Sequence, residues 1–199
     1  MKLIADMPRT KQFDVNQALD RAKDLFWEKG YEATSMDDLL RCMGINRGSF
    51  YDTFESKRNV MIASLRRYDE NNRTGLIQAV SQGKSPRESI LAVFRSMIDG
   101  TRGSQGKHGC YLVNSALETA PTDPTVARIV QSGFKDIERF FSRLVREAQM
   151  RGEIPPDLDA DETGRALLTQ LIGLLVLVRA RSPKSVLDSV VNQAARLVG

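Results

Sequence analysis

A chain of 199 residues, 27% charged and 41% hydrophobic, has an ordinary globular composition and enough length for one or two cored domains. Two cysteines, Cys42 and Cys110, are too few for a disulfide scaffold and suit a reducing, cytoplasmic setting. The longest apolar run, Leu171 to Val178, is well short of the roughly 20 residues that cross a bilayer, and Met1 to Pro8 is too short for a signal peptide. A formal charge of +4 and a pI of about 9.2 fit a nucleic-acid partner without requiring one.

The N-terminal arm is basic, with Lys2, Arg9 and Lys11 opposed only by Asp6. A first helix is predicted from Asp14 to Lys29, with Val15, Ala18, Leu19, Ala22, Leu25 and Phe26 on one stripe, and Gly30 ends it. A second begins at a Thr34 or Ser35 cap and places Met36, Leu39, Leu40 and Met43 on one face. Asp37 and Asp38 sit in its first turn, where the positive end of the helix dipole favours them. Gly44 suits the left-handed residue that ends a helix, and Ile45 returns to the core. Asn46 then caps a third helix whose apolar members, Phe50 and Phe54, are four apart. Helix, tight turn and short helix is the layout of a helix-turn-helix, which lays its second helix in the DNA major groove.

On this pattern Arg47 reads as a donor to a guanine edge or to phosphate, and Asn46 or Ser49 as a hydrogen-bonding partner of either. Gly48 lets the backbone approach DNA, and Tyr51 lays a ring on sugar while its hydroxyl reaches phosphate. Ser56 and Lys57 open the next helix, whose free N–H groups attract phosphate. From Arg41 to Arg73 there are seven Lys/Arg against four Asp/Glu.

Phe13 to Val60 resembles the DNA-binding domain of the TetR family of bacterial transcriptional regulators. The matching residues include Ala22, Leu25, Phe26, Gly30, Tyr31, Thr34, Ser35, Met36, Leu39, Gly44, Ile45, Arg47, Gly48, Tyr51, Phe54, Ser56 and Lys57. Cys42 and Met43 depart from the pattern, standing where small residues are common. The resemblance implies an all-α protein of about nine helices. Residues 10–57 would be a helix-turn-helix head, and residues 58–199 a helical effector-binding and dimerisation body. It implies DNA contact at the positions of Thr34, Ser35, Asn46, Arg47, Gly48, Ser49, Tyr51 and Lys57. It also implies a homodimer on a palindromic operator, released when an unknown small-molecule inducer moves the fourth helix. A DNA-binding structural protein without an inducer site is the alternative, and a cavity between the fourth and seventh helices separates the two. A small-molecule enzyme built on the body is a weaker rival.

The fourth helix runs from about Ser56 to Gln82, with Gly75 a weak point. Ser85-Pro86 opens a fifth, which the glycine-rich segment from Gly100 to Gly109 ends. That segment is not a phosphate loop: Thr101 stands in the first glycine position, His108 follows Lys107, and no strand precedes it. A sixth helix spans Cys110 to Thr119. Pro124 opens a long seventh, with Phe134, Ile137, Phe140 and Phe141 on its stripe, and Gly152 stops it. Asp159 to Arg181 is the eighth, and Pro183 opens the ninth.

Cys110 has two readings. It is a buried small residue at a helix start, the favoured reading, or a thiol activated by helix N–H groups, Lys107 and His108. Some members of the resembling family use such a cysteine. Cys110, Tyr111, Asn114, Glu118 and Phe134 are the candidate effector residues. His108 beside Cys110 is too few ligands for a metal site, and one histidine leaves little room for nucleophile–histidine chemistry, so no cofactor, metal or catalytic activity is expected. The eighth and ninth helices carry more apolar surface than one chain covers. Leu171, Leu174, Leu177 and Val190 are the expected dimer contacts.

Overall fold

The first three helices each begin on a side chain that satisfies free N–H groups. Helix α1 (Val15–Lys29) starts at Asp14, whose carboxylate accepts from the Asn16 and Gln17 amides at 2.8 and 3.1 Å. Helix α2 (Met36–Met43) starts with a reciprocal box: Ser35 Oγ accepts from the Asp38 amide, and Asp38 accepts from the Ser35 amide. Helix α3 (Arg47–Phe54) starts at Asn46, which accepts from the Ser49 amide at 2.8 Å. Between the last two, Gly44 takes φ +72°, a left-handed value open to glycine at little cost. Six further helices follow: α4 (Lys57–Gln82), α5 (Pro86–Gly100), α6 (Tyr111–Glu118), α7 (Pro124–Met150), α8 (Ala160–Arg179) and α9 (Lys184–Leu197).

This is a computed structural model that describes residues 13–82, 85–100 and 108–199, with the helical backbone alone for 72–82. Among the described residues the fold is all-α, as expected, with no strand. The basic arm, most of the glycine-rich segment and Lys107 lie outside them. No described helix is long and apolar enough to cross a membrane.

Two apolar interiors form. One joins Phe26, Leu39, Phe50, Phe54 and Leu65 to Cys110, Tyr111, Leu112 and Val126, so α6 and the start of α7 are packed onto the head. The other holds α5, the second half of α7, α8 and α9 around Phe94, Phe141, Leu144 and Leu174. Helices α7 and α8 approach closely because Gly164 faces Ser142: a Cβ there would lie 2.3 Å from Ser142 Oγ and 3.1 Å from the Glu138 carbonyl oxygen. Gly133 does the same for α7 against α4, where a Cβ would lie 2.7 Å from Asp69 Oδ1.

One expectation about α8 and α9 is corrected. Leu171 and Leu174 are buried within the single chain, 4% and 0% exposed, so they are core rather than surface. Leu177 and Val190 are partly buried against the same core and, with Leu174, Gly173 and Gln193, line an open groove of about 270 Å³. A run that is apolar all round α8 hid which side faces its own chain.

Candidate nucleic-acid interface

Helix α3 is held from behind. Phe50 is fully buried and Phe54 nearly so, with their rings 5.7 Å apart, and burial of each contributes about 1.5–3 kcal/mol. That fixes the opposite face of α3. Tyr51, 45% exposed, stands edge-on to Phe50 and points away from the core. Arg47 and Gly48 are exposed in the first turn, and Ser49 is half-buried. Arg47 Nη2 reaches back to Asp37 Oδ1 of α2 at 3.1 Å, so its guanidinium is parked beside the turn. Asn46 spends its side-chain oxygen on the cap, and Ser35 spends its hydroxyl on the box.

One of the expected contacts is corrected. Thr34 is 1% exposed and its hydroxyl donates to the Gly30 carbonyl at 2.6 Å, so it ties down the turn after α1 and offers DNA no side chain. Lys57 stands half-buried at the start of α4. Its ammonium lies 4.2 Å over the Tyr31 ring, and burial holds it below the usual lysine range. Ser56, beside it, caps α4 by accepting from the Asn59 amide.

The head is fastened to the body at several points. Arg58 holds Asp123, the cap of α7, through Nε and Nη2 at 2.5 and 2.9 Å. The Arg58 hydrogen bond, with the Thr125 and Val126 amides, lowers the Asp123 carboxyl to about 2. Glu118 at the end of α6 accepts from the Glu32 amide at 3.0 Å. Arg67 of α4 grips Asp20 of α1 at 2.7 Å. Within the head itself, Lys29 of α1 pairs with Asp38 of α2.

Comparison with known proteins matches both parts. The model for the DNA-binding domain of bacterial regulatory proteins of the tetR family covers residues 18–63. That for the tetracyclin repressor-like C-terminal domain covers residues 86–194. An uncharacterized HTH-type transcriptional regulator, YezE of Bacillus subtilis (strain 168), is 32% identical over 87% of this chain and 90% of its own length. The chain belongs to the TetR family. The HTH-type transcriptional repressor ComR of Escherichia coli (strain K12) is 28% identical over 95% of this chain and 90% of its own. Among solved structures, a cysteine mutant of the TetR family regulator CifR, complexed with 26-bp double-strand operator DNA, superposes with a TM-score of 0.82. It is 29% identical, covering 96% of this chain and 98% of that one. A helix-turn-helix DNA-binding head on a regulatory body is therefore the plan of this TetR-family chain.

In that body the candidate effector residues separate. Cys110 and Tyr111 sit in a buried aromatic cluster: the Tyr68 ring is 5.7 Å from Tyr111, its hydroxyl is 3.5 Å from Cys110 Sγ, and Trp27 stands edge-on to it at 5.2 Å. Cys110 does open α6, but burial pushes its thiol up, against the opposing pull of the Tyr68 hydroxyl. Burial therefore opposes the activated thiolate. Phe134 is half-buried against the same core. Asn114 and Glu118 face a separate cleft between α6, α8 and the end of α1. A larger open cleft of about 510 Å³ lies between α4 and α7, lined by Arg66, Asp69, Glu70, Arg128 and Ser132. Neither Arg66 nor Arg128 stands out in the sequence, where each reads as surface charge. Among the described residues no group of three or more His, Cys, Asp or Glu is placed to hold a metal.

Proposed function

We propose that this chain is a cytoplasmic transcriptional repressor that binds a palindromic operator as a homodimer and is released by a small-molecule inducer. The observation that carries the reading is the outward face of α3. Arg47, Gly48 and Tyr51 project from a short helix whose other face is locked by Phe50 and Phe54. Arg47 supplies base or phosphate donors, and Tyr51 and Ser49 bind the backbone. Asn46 and Ser35 position the two helices, and Thr34 the turn. The operator-bound CifR mutant and the repressor ComR support this use of the head.

Dimerisation through α8 and α9 fits the open groove that Leu177, Val190 and Gly173 line, and Val186 of α9 is 39% exposed. The cleft between α4 and α7 supports an effector site, because it borders the helix that head and body share. Displacing α4 there changes the spacing of two heads that must match DNA's helical turn. The raised thiol of buried Cys110 gives no support to a redox trigger.

The test is selection of bound sequences from random DNA, with sedimentation of the protein. A two-fold symmetric site and a dimer that Leu177→Arg splits are expected. A stable monomer at micromolar concentration, or enrichment of no sequence, would refute the proposal.

A further inference from the structure

The cleft between α6 and α8 encloses about 300 Å³ at the seam of head and body. One wall is apolar and open: Leu117 is 71% exposed and Val176 is 42% exposed. Another wall is cationic. Arg179, in the last turn of α8, donates through Nη1 to the His108 carbonyl at 3.0 Å and to the Trp27 carbonyl at 3.4 Å. Both partners are neutral, and among the described residues no carboxylate pairs with it. Of the other charges at the rim, Lys29 pairs with Asp38, and Glu118, which also lines the cleft, accepts from the Glu32 amide of the head at 3.0 Å. Glu118 packs so tightly on Gly30 that a Cβ there would lie 2.9 Å from its Oε1.

A guanidinium that, among the described residues, bonds only to neutral carbonyls, next to exposed leucine and valine, selects one kind of ligand, an organic anion with an apolar tail. The planar fork matches a carboxylate, and burial of the tail on Leu117 and Val176 adds the hydrophobic part. We propose that this cleft binds a medium-chain carboxylate, and that its occupancy loosens the grip of Glu118 on the head turn. A second carboxylate brought to Arg179 lies beside Glu118, and like charges repel. Loss of the Glu118–Glu32 bond frees the turn that leads into α2 and α3. The release step rests on the repressor reading above, whereas binding in the cleft does not.

The chain has a single tryptophan, Trp27, whose carbonyl is bonded to Arg179. Its emission therefore reports on the cleft. Octanoate is titrated into the full-length protein, with octanol as the uncharged control and operator anisotropy as a second signal. A saturable change in Trp27 emission with octanoate is expected, with octanol binding about tenfold more weakly or worse, since a charged hydrogen bond is lost. Arg179→Gln should weaken octanoate by about tenfold, Arg179→Lys should recover part of it, and Leu117→Ser, at an exposed position, should weaken it without unfolding the chain. Absence of saturation, equal binding of octanol, or unchanged affinity in both Arg179→Gln and Leu117→Ser would overturn the site. Binding that follows this pattern while the operator stays bound would overturn the release step. A ligand-free protein that binds no operator would sink the repressor reading instead, and the emission titration would still judge the cleft.

Discussion

Replacing Asp37 by asparagine should tighten operator binding, although Asp37 is no part of the reading helix. In the free protein the Arg47–Asp37 pair is 3.1 Å long with side chains 61% and 76% exposed. An exposed pair of this kind is worth no more than about 1 kcal/mol. A guanidinium that grips a base edge through two hydrogen bonds gains about 1–3 kcal/mol. The base contact therefore outweighs the pair, and binding pulls Arg47 away from Asp37. Asp37→Asn removes that cost and a negative charge near phosphate, so affinity should rise by up to about fivefold. Arg47→Ala should lower it by about fivefold to 150-fold and relax preference at one position of each half-site. Combining the two separates the causes: with Arg47 gone, only the general charge effect of Asp37→Asn remains. Fluorescence anisotropy on the selected operator at one fixed salt concentration measures all four proteins, and melting curves monitor the lost first-turn charge of α2. If Asp37→Asn binds more weakly at unchanged stability, or Arg47→Ala binds like the parent, the assignment of α3 as the reading helix fails.

Three further outcomes are expected. Gly164→Ala puts a Cβ 3.1 Å from the Glu138 carbonyl and 3.0 Å from the Ser142 amide nitrogen, backbone atoms that cannot rotate away. It should destabilise by about 1–2 kcal/mol after helix propensity returns part of the cost, read as a lower denaturation midpoint; a rise in stability would refute the close packing of α7 on α8. In native protein, Cys110 should label with a thiol reagent far more slowly than half-buried Cys42, and Cys110→Ser should lower stability without altering operator release; fast labelling of Cys110 would revive the thiol switch. Asp123 is held at about 2 against an ordinary carboxyl value of 3.8, so its folded form prefers the charged state. Its contribution is complete above about pH 4 and is lost as pH falls towards about 2. Asp123→Asn, which keeps a cap for α7, should flatten that part of the acid denaturation profile, and an unchanged profile would show that the Arg58 contact contributes nothing.

The sequence by itself determined the local structure of this protein. Caps at Asp14, Ser35, Asn46 and Asp159, the left-handed Gly44 and the apolar stripes of α1, α2 and α7 all act over three or four residues. Such interactions are written in neighbouring letters, so the helices, α3 among them, are legible in the amino-acid order alone. Tertiary packing decided which face of each element is spent. Leu174 and Leu177 are alike in a run that is apolar all round, yet the first is fully buried in its own chain and the second only partly. Thr34 sits in a motif that touches DNA, yet its hydroxyl is taken by the Gly30 carbonyl. Cys110 opens a helix as expected, but Tyr68, 42 residues away in sequence, helps to bury it, and burial outweighs the helix N-terminus. Arg179 reads as the basic residue that ends a helix, and only the approach of α1 and α6 shows that its charge lines a cleft. Burial and charge compensation depend on distant segments meeting, and neighbouring residues carry no record of which segments those are.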